Sequence, residues 1–216
     1  MGKHIITISR SYGSGGRQVA KALARELNIH YYDKELMQLV SLEHGINMSI
    51  VSGADEKHEE SRFKKYSVSE IASPSSKKYL SKDNIFNMTA SVIKDIAEKD
   101  DTCVIVGRCA HYILQDRPDV VRVFIHADYD DLIENAIKYD GCDRDEAIRR
   151  IDRINKERAA YHKYYTNHEW NDARCYDLCL NTSKISIEKC VKVIEEYINI
   201  MDSVENNGPE QSYSIH

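Results

Sequence analysis

The chain has 216 residues, 42% of them hydrophobic, with a formal net charge of −5 and six cysteines. That length suits one domain with a substantial core, and the acidic balance excludes a general binder of nucleic acid or membrane surface, so any basic site must be local. No apolar stretch approaches roughly 18 residues and MGKHIITIS lacks the pattern of a signal peptide, which predicts a cytoplasmic chain with reduced thiols at Cys103, Cys179 and Cys190.

Ile5, Ile6 and Ile8 predict a buried strand near 4–8, and Val19, Ala20, Leu23, Ala24 and Leu27 predict a helix over 17–27. Between them lie Gly13, Gly15 and Gly16. A strand that feeds a helix through glycines leaves unpaired N–H groups at the positive end of the helix dipole, where phosphate binds. The usual phosphate loop reads G-x-x-x-x-G-K-[ST], and this chain departs from it. With Gly15 as the last glycine, Arg10 stands at the first glycine, Gly16 at the lysine and Arg17 at the hydroxyl. Shifted by one, Arg17 becomes the cation, Ser11 holds the first glycine position and Gln18 the hydroxyl. The expected phosphate and ATP ligands are Ser11, Gly13, Ser14, Gly15, Gly16, Arg17 and Gln18, with Arg17 replacing the lysine through its guanidinium fork.

A strand at 29–32 ends on Asp33, before a helix over 34–44 that Gly45 stops. Asp33 has two readings, an N-cap or a site carboxylate that faces the loop and holds magnesium through water; both can hold together. Residues 47–82 are polar and read as a solvated loop or linker. A helix over 84–99 leads to a strand at 103–106, whose IVGR run brings Arg108 to the carboxyl edge of the sheet. A strand at 120–126 and a helix over 128–139 follow.

On the basic helix that begins near Arg144, Arg149, Arg153 and Lys156 share one face and Ala147, Ile148, Ile151 and Ile154 the other. Arg158 falls on the apolar side, where a cation needs an anion. The solvated-face and phosphate-facing readings of Arg149, Arg153 and Lys156 are evenly balanced; Tyr161, Tyr164, Tyr165 and Trp170 are read as packing residues. A strand at 177–181 and a helix over 186–201 close the pattern, and residues 202–216 read as a disordered tail. Alternating strands and helices predict an α/β fold with five parallel strands covered on both faces, and ligands at the carboxyl ends of the strands.

ITISRSYGSGGRQVAKALARELNIHYYDKEL closely resembles the N-terminal segment of the cytidylate-kinase-like proteins, a branch of the P-loop nucleoside monophosphate kinases. IVGRCAHYIL, DRINKERAAYHKYYTNHEW and YDLCLNTSKISIEKC are similar to the same family. The resemblance implies a three-layer P-loop kinase fold over residues 1–201, with an acceptor-binding insert at 46–82 and a mobile helical lid at 143–170. It implies an ATP- and magnesium-dependent phosphotransferase with CMP or dCMP as default acceptor and small-molecule nucleotides as its partners. Arg17, Asp33 and Arg158 would be catalytic, Arg153 a donor-phosphate ligand, and Asp33 and Arg108 the acceptor site. The alternatives are a kinase of another small metabolite and a regulatory protein that binds nucleotide without transfer.

Two departures bear on the acceptor and the lid. The resembling kinases carry an Arg–Asp pair at 108–109, where this chain has Arg108 and Cys109, so Asp33 or the 47–82 segment must supply the carboxylate. Of their R-D-x-x-D-x-x-R lid pattern only Asp152 and Arg158 fit, with Arg150 or Arg153 as the substitute for the missing arginine.

Overall fold

A computed structural model describes residues 2–56, 70–100 and 102–207. The strands are β1 (Ile5–Arg10), β2 (His30–Tyr32), β3 (Cys103–Val106), β4 (Val120–His126) and β5 (Leu178–Asn181). All pair in parallel in the order β2-β3-β1-β4-β5. The central strand β1 is buried at every position, its polar Thr7, Ser9 and Arg10 included.

Helices α1 (Gly16–Glu26) and α8 (Ile187–Asn207) cover one face. Val19, Leu23, Ile194 and Ile198 meet Ile6, Ile8, Val121 and Val123 there. Helices α2 (Lys34–His44), α3 (Met48–Ala54) and α4 (Lys82–Lys99) cover the other, packing Leu36, Val51 and Met88 on Ile5 and Ile105. Each fully buried isoleucine contributes about 2 kcal/mol of transfer free energy. The remaining helices are the short α5 (Ala110–Ile113), α6 (Tyr129–Asp140), the 23-residue α7 (Arg144–Thr166) and a 3-10 turn at Ala173–Cys175.

Three expectations change. The polar 47–82 segment carries α3, whose Val51 is wholly buried, so it is tied to the core; residues 57–69 of the expected insert lie outside the described residues. The closing helix does not end at 201 but runs to Asn207, because Asp202 holds the start of the chain: its carboxylate lies 2.6 Å from His4 Nε2 and accepts the Gly2 N–H at 3.0 Å. The rest of the expected tail, 208–216, lies outside the described residues. Finally, Cys103 and Cys190 are buried as expected but Cys179 is exposed, since β5 is an edge strand and turns Leu180 inward instead.

Candidate active site at the carboxyl edge of the sheet

The turn between β1 and α1 is shaped by backbone that only glycine adopts freely. Gly13 (φ 81°) and Gly15 (φ 75°) are left-handed, and a Cβ on Gly13 would lie 2.5 Å from the Leu132 carbonyl oxygen. The Ser14 hydroxyl donates to the Ser11 carbonyl at 2.8 Å, while Thr182 Oγ1 donates to the Ser14 carbonyl and Asn135 Nδ2 to that of Gly13. The loop is therefore clamped from α6 and from the end of β5. Helix α1 opens at Gly16 with Gly15 as its N-cap, which favours the register that puts Gly16 at the lysine position. A cavity of about 90 Å³ lies in the loop, lined by Ser11, Gly13, Gly15, Gly16, Gln18 and Arg158 among others.

Helix α7 sits against this loop. Asn155 Oδ1 accepts the Tyr12 N–H at 2.8 Å, the Tyr12 hydroxyl donates to Asp140, and Arg158 Nη1 donates to the Arg10 carbonyl at 3.1 Å.

Arginines and carboxylates converge at the ends of β1, β2 and β3. Arg17 Nε donates to Asp33 Oδ2 at 2.5 Å, and Tyr31 and Arg108 donate to the same carboxylate at 3.1 and 3.4 Å. Gly107, Arg108 and Cys109 are all left-handed, at φ 79°, 53° and 56°. This strained turn folds Arg108 back over its own strand, where Nη1 donates to the Val106 carbonyl and Nε and Nη2 grip Asp55 at 3.0 and 2.9 Å. Glu56 joins the remaining groups: it accepts from Arg10 Nη1 at 2.6 Å, the Arg108 backbone N–H at 3.0 Å and Arg158 Nε at 3.2 Å.

Burial opposes ionisation of Glu56, but Arg10, Arg158 and Arg108 override it and hold the carboxyl well below its ordinary range. Asp33 is likewise held low, as Arg17, Arg10 and Arg108 outweigh its burial. Asp55 is pushed up, since burial prevails over Arg108. Burial and the neighbouring Arg10 bring the Arg158 guanidinium down to about 10. Among the described residues, the four guanidiniums of Arg10, Arg17, Arg108 and Arg158 meet three carboxylates, Asp33, Asp55 and Glu56. Guanidiniums gathered in this way attract anions.

Arg17, Asp33, Arg108 and Arg158 thus lie together, beside the loop residues Ser11, Gly13, Ser14, Gly15, Gly16 and Gln18. Asp33 precedes α2 without making a side-chain cap bond, and its carboxylate accepts instead from Arg17, Arg108 and the Tyr31 hydroxyl. Arg153 lies apart, 57% exposed and paired with Glu157 at 3.2 Å. Arg149 and Arg150 pair with Glu146 at 3.1 and 2.6 Å. Tyr161 and Tyr165 pack on Phe86, with the Tyr165 ring stacked at 3.8 Å, as their packing role predicts.

Arg10, Asp55 and Glu56 were not legible as site residues, because one reads as a strand end and the others as part of a solvated run. The signal available was Arg10 at the pattern's first glycine position. Cys109 packs in the cluster of Phe86, Tyr161 and Tyr165, and the carboxylate that grips Arg108 comes from Asp55.

Among the described residues no group of three or more His, Cys, Asp or Glu is placed to hold a metal. Arg17 occupies the position of the usual loop hydroxyl, and both Asp33 oxygens face guanidiniums. Nor is any helix among the described residues long and apolar enough to cross a membrane.

A parallel sheet of this order, with a glycine loop between β1 and α1 and helices on both faces, is the P-loop kinase fold. The chain belongs to the cytidylate kinase-like family, whose model matches residues 5–184. Among solved structures it is similar to an uncharacterized protein from Eubacterium ventriosum, at 29% identity and TM-score 0.67 over 91% of this chain and 98% of that one. It shares the fold of shikimate kinase from Bacteroides thetaiotaomicron at 16% identity and TM-score 0.52, over 91% and 98% of the two chains. No curated protein matches it.

Proposed function

We propose that the chain is an ATP-dependent phosphotransferase that moves the γ-phosphate of ATP to a small acceptor, with CMP or dCMP as the default. The observation that carries this reading is the convergence of Arg17, Arg108 and Arg158 beside the glycine loop. Phosphoryl transfer asks little covalent chemistry of the protein; it asks for alignment of donor and acceptor and for positive charge around the migrating group.

The loop from Ser11 to Gln18 would receive the donor phosphates on its N–H groups at the start of α1. Arg158, reaching in from α7, and Arg17 would neutralise charge on the transferring phosphoryl. Arg108 would hold the acceptor's anionic group, with Asp33 and Asp55 fixing its guanidinium and offering acceptor oxygens to a hydroxyl or amine. Magnesium would enter as the counter-ion of ATP, and no step is assigned to it.

The other readings have observations behind them. The lost lysine and the Arg17–Asp33 pair favour a nucleotide-binding regulator without transfer. The turn of Cys109 into the aromatic cluster favours a different small-metabolite acceptor. A coupled assay of ATP turnover over a panel of nucleoside monophosphates and small alcohols separates them. Turnover with at least one monophosphate is the expected result. Tight ATP binding by calorimetry with no turnover across the panel would leave the regulatory reading in its place.

A further inference from the structure

We infer that Arg10, not Arg17, supplies the cation that the phosphate loop's missing lysine would provide, and that Glu56 occupies the place of a ligand phosphate in the free chain. The inference rests on the phosphate-binding reading above and names the residue that does the binding.

Two glycines make room for Arg10. In the register set by the start of α1, arginine and glycine have exchanged places: Arg10 stands at the pattern's first glycine and Gly16 at its lysine. A Cβ on Gly16 would lie 2.4 Å from Arg10 Cβ, so an arginine at position 10 and any side chain at 16 exclude each other. At the far end of the side chain, a Cβ on Gly107 would lie 2.3 Å from Arg10 Nη1 and 2.0 Å from Glu56 Oε1. The backbone is therefore bare at both ends of the path that Arg10 takes, from the loop floor to the end of β3. Its side chain is 6% exposed and lines the cavity in the glycine loop. Arg17 lines the same cavity, but it is 44% exposed and its guanidinium is committed to Asp33.

Glu56 has the marks of a stand-in. Its carboxylate collects two guanidiniums and the Arg108 backbone N–H, a donor set that suits a phosphate oxygen equally well. Glu56 itself has left-handed backbone, at φ 50°, a costly conformation for a non-glycine residue. A polyphosphate entering the loop competes with this carboxylate for Arg10 and Arg158. Paired with Glu56, the two buried guanidiniums are not left without a counter-charge.

The test uses the full chain and inorganic pyrophosphate, which carries no base, read by calorimetry, with folding checked by circular dichroism. Glu56→Gln removes the competing charge and should tighten pyrophosphate binding about tenfold or more, a gain that misfolding cannot mimic. The double variant Arg10→Met with Glu56→Gln keeps the buried pair neutral and of similar size. It should lose that gain and fall below the unaltered chain. Glu56→Gln without tighter binding, a double variant that binds as tightly as Glu56→Gln alone, or no pyrophosphate binding by any of the three proteins would overturn the inference. ATP turnover by the unaltered chain is read separately. Turnover with Arg10-independent binding sinks only this inference, whereas Arg10-dependent binding without turnover on any acceptor sinks only the proposed reaction.

Discussion

Replacing Arg108 with alanine is expected to abolish acceptor turnover and to lower stability by roughly 3–5 kcal/mol, the usual cost of removing one partner from a buried ion pair. Arg108 is 3% exposed and is shared by Asp55 and Asp33, while its backbone N–H reaches Glu56. Without the guanidinium, Asp55 loses both of its hydrogen bonds from that side chain and Asp33 one of its cations. The two losses separate by design. Arg108→Ala combined with Asp55→Asn removes the stranded charge and should recover much of the stability in urea titrations, with turnover still absent. If the double variant regains turnover along with stability, Arg108 is a scaffold for the carboxylates and does not bind the acceptor.

The order of strands and helices was legible because the physics there is local. Ile5, Ile6 and Ile8 mark β1 as a buried strand, and Gly45 stops α2 with the left-handed φ of 63° expected of a C-terminal glycine. Arg158 was legible for the same kind of reason. A cation on the apolar side of an amphipathic helix needs an anion, and it found Glu56. That anion could not be read in advance. Glu56 lies 46 residues from Arg10 and 102 from Arg158, within a run whose composition looks solvated, and only the packing of Val51 and Ala54 beneath it brings it inward. Likewise a sequence pattern places a cysteine beside Arg108, but the left-handed turn at 107–109 decides which side chain faces the site. Contacts of long sequence separation and unusual backbone carry most of this site, and neither leaves a periodic trace.

Acid should weaken the fold well before its carboxylates titrate, through two buried histidines behind the site. His111 on α5 and His162 on α7 are 5% and 2% exposed, with their Nε2 atoms 3.0 Å apart. His162 Nδ1 faces the His168 carbonyl at 3.0 Å and must donate there, which leaves its Nε2 as acceptor for His111 Nε2–H. His111 Nδ1 then accepts from the Ser9 hydroxyl at 3.4 Å. This chain has no place for an extra proton. Burial, helped by His162 and Arg122, pulls His111 down to about 3, and burial pulls His162 down to about 4 against the His168 carbonyl. Both folded values lie below the unfolded 6.5, so the unfolded state binds more protons as pH falls below that point, and stability drops from there towards pH 4. Between about pH 7 and pH 5 each histidine should cost about 2 kcal/mol, or about 4 together. Glu56 and Asp33 are depressed carboxyls, whose contribution is lost only as pH falls below their ordinary 4.5 and 3.8, outside that window. Urea midpoints measured at pH 7 and 5 should therefore differ strongly for the unaltered chain and little for the variant carrying His111→Gln and His162→Gln. Imidazole titration by NMR should give folded values below 5 for both rings. Equal midpoints at the two pH values, or a ring that titrates near 6.5 in the folded chain, would show that the pair takes up protons freely. The consequence reaches the site, because His162 shares α7 with Arg158 and Asn155. Charging the pair would push α5 and α7 apart and withdraw both contacts to the glycine loop.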